Sequence, residues 1–219
     1  MKMKEKRLLL LGVVFIVLFL MWTVMIQKID VQPVGPKMTY VGFAKFNSWF
    51  HELTGVHMAL YTLTDWLGLI PVAVCLIFGT IGFNQMIGRK SLFRVDHDII
   101  LLGIYYVIVI MSYLIFEMIP VNYRPIAMNG LMEASYPSST TLLVLSVMPT
   151  LIFQLNLRMK NGFTKRAIKG SVSLFMLFMV IGRLISGVHW FTDIIGAVLL
   201  STGLFHIYKA MVSMSCKRN

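Results

Sequence analysis

Six separate stretches of this chain run close to the ~20 predominantly apolar residues that one crossing of a bilayer demands. They cover residues 8–26, 66–86, 99–119, 141–157, 171–188 and 190–211, the fourth being the shortest. In hydrocarbon every backbone N–H and C=O must be paired inside its own segment, so each stretch is expected to be a helix. Composition agrees. The 219 residues are 58% hydrophobic and 13% charged, with a mean hydropathy of +0.78. Soluble domains carry roughly 25% charged residues. That excludes an ordinary soluble domain and, more firmly, a disordered chain. The expected class is all-α: a polytopic membrane protein with six transmembrane helices in a single domain over residues 1–219.

The first stretch follows a basic segment, Met1–Arg7, as a signal peptide would. It exceeds the usual h-region of about 7–15 residues, and no A-x-A-like cleavage site follows, so a retained helix is expected. Thr64 and Asp65 stand just before the second stretch, where short side-chain oxygens suit an N-cap. Residues 43–63 differ from the spans. Phe46, Phe50 and Leu53 share a helical face, while Lys45, His51 and Glu52 interrupt any crossing. This reads as an amphipathic helix on the outer side. A buried outer-loop helix fits the same pattern.

An even number of crossings puts both termini on one side, and charge tells which. One set of segments carries four basic residues before the first span, three between the second and third, five between the fourth and fifth, and three at the end of the sixth and beyond it (Lys209, Lys217 and Arg218). That is fifteen. The opposite side carries five: Lys28, Lys37, Lys45, Arg124 and Arg183. The positive-inside rule then expects a multi-pass cell-membrane protein with cytoplasmic termini. The formal net charge of +11 is a topology signal, and no nucleic-acid partner is expected. Cys75 and Cys216 are too few for a disulfide scaffold and read as free thiols. No Cys/His cluster has zinc-ligand spacing, and no glycine-rich nucleotide loop occurs. Trp22, Trp66 and Trp190 fall near span ends, where indoles favour the interface.

Charged groups at the membrane are costly and tend to mark function. On the outer side most fall in two windows. One runs from Glu117 to Arg124-Pro125 and on to Tyr136-Pro137-Ser138-Ser139-Thr140-Thr141. The other runs from Gly182-Arg183 through His189 to Asp193. Span counting places both on one face. His189 and Asp193 are four apart and share a helical face. A carboxylate accepting the Nδ1 hydrogen would leave Nε2 as a lone pair, usable as nucleophile or base. Two guanidinium forks, Arg124 and Arg183, suit the equatorial oxygens of a phosphoryl group in flight. Free amides and hydroxyls at Ser138, Ser139 and Thr140 would make an anion site. Each residue also has a structural reading. His-x-x-x-Asp arises by chance, Arg183 can pair with Asp193 or Glu117, and Ser-Ser-Thr at a helix start is a common cap. Joint spacing and shared sidedness favour the site.

Arg183-x5-His189-x3-Asp193 resembles the third signature of the type 2 phosphatidic acid phosphatases, S-R-x5-H-x3-D. Arg124-Pro125 matches the end of their first signature, K-x6-R-P, and Pro137-Ser138 the start of the second, P-S-G-H. The order, spacing and six-helix plan agree over most of the chain. The resemblance implies a metal-independent hydrolase with no cofactor. Its partners would be the bilayer and a membrane lipid bearing a phosphate or diphosphate. His189 would form a phosphohistidine, Asp193 would orient it, and Arg124 and Arg183 would hold the phosphate, with the site facing outward.

Three positions depart from the family. Glu117 replaces the lysine, Gly182 replaces the serine before the arginine, and Ser139-Thr140 replaces Gly-His. That histidine is the family's general acid, a role worth about 10²–10⁴-fold in rate. A threonine hydroxyl is far too weak an acid to replace it. Three explanations are open. A polyprenyl diphosphate releases a lipid phosphate that needs no proton. Glu117 could supply the proton. Or the chain is a phosphotransferase or a catalytically inactive phospholipid-binding relative. An active lipid phosphatase is the expectation, because His189, Asp193 and both arginines are present.

Overall fold

The computed structural model describes residues 3–128 and 130–215. Lys2, Lys217, Arg218 and Cys216, used above in counting charges and thiols, lie outside the described residues. The helices are α1 (Met3–Lys28), α2 (Ala44–Thr54), α3 (Met58–Leu67), α4 (Leu69–Arg89), α5 (His97–Met118), α6 (Ser139–Arg158), α7 (Phe163–Ile185) and α8 (Phe191–Ser215). Among the described residues, six helical units are long and apolar enough to cross a membrane: α1, α3 with α4, α5, α6, α7 and α8.

The second unit begins at Met58, well before the expected start at Trp66. Thr64 and Asp65 are therefore not an N-cap. They lie inside α3, where the Thr64 hydroxyl donates back to the Leu60 and Tyr61 carbonyls, each at 2.9 Å. The seam between α3 and α4 falls at Gly68, three residues before Pro71. Proline has no N–H to offer the carbonyl one turn earlier, which explains an interruption there.

α6 and α8 form the centre of the bundle. In their most apolar windows 44% of residues are buried, against 17–22% in the other four units. Leu142, Val147, Ala197, Leu200 and Tyr208 make up much of this core. α1 lies along α8, with Phe19 stacked on Tyr136 at 6.1 Å between ring centroids. α7 turns Leu174, Leu177, Phe178 and Ile181 outward, as a lipid-facing helix should. Polar groups in the core are paired, as burial in hydrocarbon requires. The Tyr105 hydroxyl donates to the Ser146 carbonyl at 3.0 Å, and Gln154 Nε2 donates to the Tyr208 hydroxyl at 2.8 Å.

The amphipathic outer segment is split. α2 ends at Thr54 and α3 starts four residues later, so only residues 44–54 form a separate helix here. Its docking uses a different residue from the aromatic face. Asn47 is buried, and its Nδ2 donates to the Gly42 carbonyl at 2.8 Å and to Thr192 Oγ1 at 3.0 Å. Phe46 and Phe50 flank this contact and pack edge-on against Phe191. Leu53 is exposed. α2 is thereby clamped to the first turn of α8.

Candidate functional site

Two connections meet at one end of the bundle. The first, residues 119–138, folds back on itself between α5 and α6. Ser135 N–H donates to the Asn122 carbonyl at 2.9 Å and Arg124 N–H to the Glu133 carbonyl at 3.1 Å, with an isolated bridge pairing Tyr123 and Ala134. The second is the short link from α7 to α8. Its Gly187 has φ +70°, and a Cβ there would stand 2.1 Å from the Gly55 carbonyl oxygen, so only glycine fits. This turn carries His189 into the interior, where it is buried.

His189 Nδ1 lies 3.1 Å from the Ser135 carbonyl. A carbonyl can only accept, so Nδ1 carries the hydrogen and Nε2 keeps its lone pair. The Asp193 carboxylate stands 3.7 Å from Nδ1, beyond a direct hydrogen bond. It accepts instead from the Trp190 N–H at 2.9 Å and from Asn122 Nδ2 at 3.2 Å. The first is the reciprocal half of a capping box, in which the third helical residue holds the N-cap amide. Burial pushes the His189 ring down to about 4. The Asp193 carboxylate offsets this in part, and Arg124 and Arg183 reinforce it. The imidazole is neutral at physiological pH.

Arg124 Nη1 lies 3.5 Å from His189 Nε2. On its other flank, Arg124 Nε is 3.0 Å from a Glu133 carboxylate oxygen, which sits off the N–H axis and leaves that buried donor without a hydrogen bond. Arg183 Nε is buried and unpaired as well. Unsatisfied buried donors are rare and each asks for an explanation. Arg124 Nε already faces a carboxylate, so Arg183 Nε is the guanidinium donor left without a partner.

The eight candidate residues divide into neighbouring groups. His189, Arg124, Glu117 and Ser139 line one polar cavity of about 220 Å³, together with Tyr113, Glu133 and Ser135. Arg183 is not on its lining; it is held by Thr140 Oγ1 at 2.5 Å, Asp65 at 3.3 Å and the face of the Tyr61 ring at 4.8 Å. It pairs with neither Asp193 nor Glu117. Ser138 is committed elsewhere: its amide donates to the Asp193 carbonyl and its hydroxyl to Thr141 Oγ1. A second cavity of about 360 Å³ adjoins the first through Tyr113 and Ser139. It is walled by apolar residues of α4, α5 and α6, among them Leu69, Val72, Val109 and Leu142, with Asp65 and Thr140 also on its lining.

Gly182 has a packing reason. A Cβ there would lie 2.8 Å from Thr64 Cγ2, so a side chain would push α3 away from α7 and away from Arg183. Trp190 is buried rather than interfacial, and its Nε1 donates to the Tyr123 carbonyl at 2.7 Å. Trp22 Nε1 donates to the Thr192 carbonyl at 3.1 Å. Both indoles brace the site, and Trp66 is the one that stays largely exposed.

Glu133, Ser135, Asn122 and Asp65 belong to this arrangement and do not stand out in sequence. For Glu133 a signal exists. Asn129-Gly130 is a hairpin-turn dipeptide placed between Arg124 and Glu133.

The PAP2 superfamily model matches residues 119–216. Over these residues the chain is similar to the PAP2 superfamily. The matched residues span both connections and include His189, Asp193, Arg124 and Arg183. A solved structure has the same fold: the crystal structure of a transmembrane PAP2-type phosphatidylglycerolphosphate phosphatase from Bacillus subtilis. The match covers 93% of this chain and 96% of that one, with a TM-score of 0.66 and 15% identity. No curated protein sequence matches the chain. The six apolar helical units and the PAP2 fold together make this a multi-pass membrane protein.

Proposed function

We propose that this PAP2 protein is a lipid phosphatase that works through a phosphohistidine at His189, on the extracytoplasmic face of the cell membrane. The observation that carries the reading is the Nε2 lone pair of His189 beside Arg124, in a polar cavity. In this reading Nε2 attacks phosphorus while Arg124 and Arg183 balance the charge on the phosphoryl oxygens. A ring phosphorylated at Nε2 and protonated at Nδ1 is cationic. The Ser135 carbonyl and the Asp193 carboxylate would stabilise it.

The adjoining apolar cavity supports a lipid as the carrier of the phosphate. The lack of an imidazole at Thr140 favours a polyprenyl diphosphate over a monoester. Its leaving group, a lipid monophosphate, is already a stable anion. A monoester must expel an alkoxide that needs a proton, and neither Thr140 nor Ser139 can supply one. The charge distribution supports cytoplasmic termini and an outward-facing site.

The test is phosphate release by purified protein from polyprenyl diphosphate, polyprenyl phosphate, phosphatidic acid and phosphatidylglycerophosphate. Release abolished by His189→Ala and fastest on the diphosphate is the expected result. Equal rates on diphosphate and monoester would sink the leaving-group argument. Phosphate reappearing on an added lipid acceptor would mean a phosphotransferase. Lipid binding without turnover would mean a binding protein.

A further inference from the structure

A phosphohistidine must be broken as well as made. Attack by water releases a proton, and this site holds no second imidazole to receive it. The residues around the reacting nitrogen point to a replacement. Glu133 stands in the same cavity as His189, and the Arg124 guanidinium touches both, with Nη1 at the imidazole and Nε at the carboxylate. In an in-line displacement the attacking oxygen and the departing nitrogen lie on opposite sides of phosphorus. A phosphoryl group on Nε2 and held by Arg124 would therefore have its free side toward the rest of this cavity, which Glu133 lines. The carboxylate approaches Arg124 off the N–H axis, so it is not locked into a fork and keeps lone pairs for a water. Glu117 also lines the cavity, but it interacts with Tyr113 one turn away on α5.

We infer that Glu133 is the general base that activates water against the phosphohistidine, an inference that rests on the lipid phosphatase reading. The two steps balance. In the first, the Nε2 lone pair forms an N–P bond to the terminal phosphorus of the diphosphate. The P–O bond breaks, and the lipid monophosphate leaves with the electron pair, unprotonated. In the second, water forms an O–P bond and gives its proton to Glu133. The N–P bond breaks, its electron pair returns to Nε2, and Glu133 passes the proton to solvent as phosphate departs. Only the second step needs the carboxylate as base.

The experiment separates the steps. Purified full-length protein is given farnesyl diphosphate radiolabelled in the terminal phosphate, and acid-labile label on the protein and free phosphate are followed over time. Wild type should release phosphate with little label on the protein. Glu133→Gln should form labelled protein within a few-fold of the wild-type rate and then hold it, with breakdown slowed by about 10²–10⁴-fold, the usual worth of a general base. Glu117→Gln should not trap label. If Glu133→Gln slows formation as much as breakdown, the carboxylate only positions Arg124 and the inference is overturned. Trapping by Glu117→Gln instead would overturn it too. A wild-type protein that neither labels nor releases phosphate overturns the phosphatase reading itself, and Glu133 falls with it.

Discussion

Arg124 Nη1 lies 3.5 Å from His189 Nε2, although the two residues are 65 positions apart and on different connections. Placing a cation against an imidazole is unfavourable if the ring is charged, so the contact itself favours the neutral ring with its lone pair toward Arg124. A phosphoryl group entering between them would take the guanidinium as its partner. Arg124→Lys keeps the charge but removes the planar donors. It should lower kcat/KM by about 10²–10³-fold, the usual worth of one transition-state donor. Steady-state phosphate release, with circular dichroism to show an intact fold, checks this.

The burial of His189 sets a pH limit. In the proposed mechanism the ring acts when neutral, and burial lowers it to about 4 from the ordinary 6.5, so the lone pair is present across the neutral range and is lost as pH falls through about 4. The acid limb of kcat/KM belonging to His189 should fall near that value. Asp193 partly opposes the lowering. Asp193→Asn should therefore move the limb further to acid, and nitrogen NMR of the imidazole would follow the same ionisation directly. A limb at the ordinary histidine value would show that His189 is not buried as described.

Restoring the family's serine should harm this protein. Gly182→Ser places a Cβ 2.8 Å from Thr64 Cγ2. Overpacking of this kind costs about 1–3 kcal/mol. A thermal melt in detergent should show the loss. Thr64→Ser removes the methyl but keeps the hydroxyl near Arg183, so the double variant should recover most of it.

The docking of α2 hangs on one amide. Asn47→Ala leaves the Gly42 carbonyl and the Thr192 hydroxyl without their buried donor, a deficit of about 1–3 kcal/mol for each buried group left unpaired. Proteolysis should then cut more readily between residues 43 and 57, and activity should fall because Phe191 and Trp190 lose their cover.

Much of the fold was legible because a bilayer leaves few choices. Apolar stretches of crossing length must become helices, and six such units are present. Boundaries were less legible. The second unit begins eight residues before Trp66 because polar Thr64 and Asp65 are tolerated where they face Arg183, a contact from another helix. The same holds for Trp190 and Trp22, whose indoles find carbonyls inside the protein instead of an interface.

The sequence alone determined the helical class and picked out the candidate windows with His189, Asp193, Arg124 and Arg183 as candidates, because hydropathy period and motif spacing are local properties of the chain. Tertiary structure decided which polar atoms meet. It placed the Ser135 carbonyl, not Asp193, within hydrogen-bond distance of Nδ1, set Glu133 against Arg124, and put Arg183 on Thr140 and Asp65. These are pairings across folded connections and between helices distant in sequence. Their partners are chosen by packing and by the need to satisfy buried polar groups, and no linear spacing carries that information.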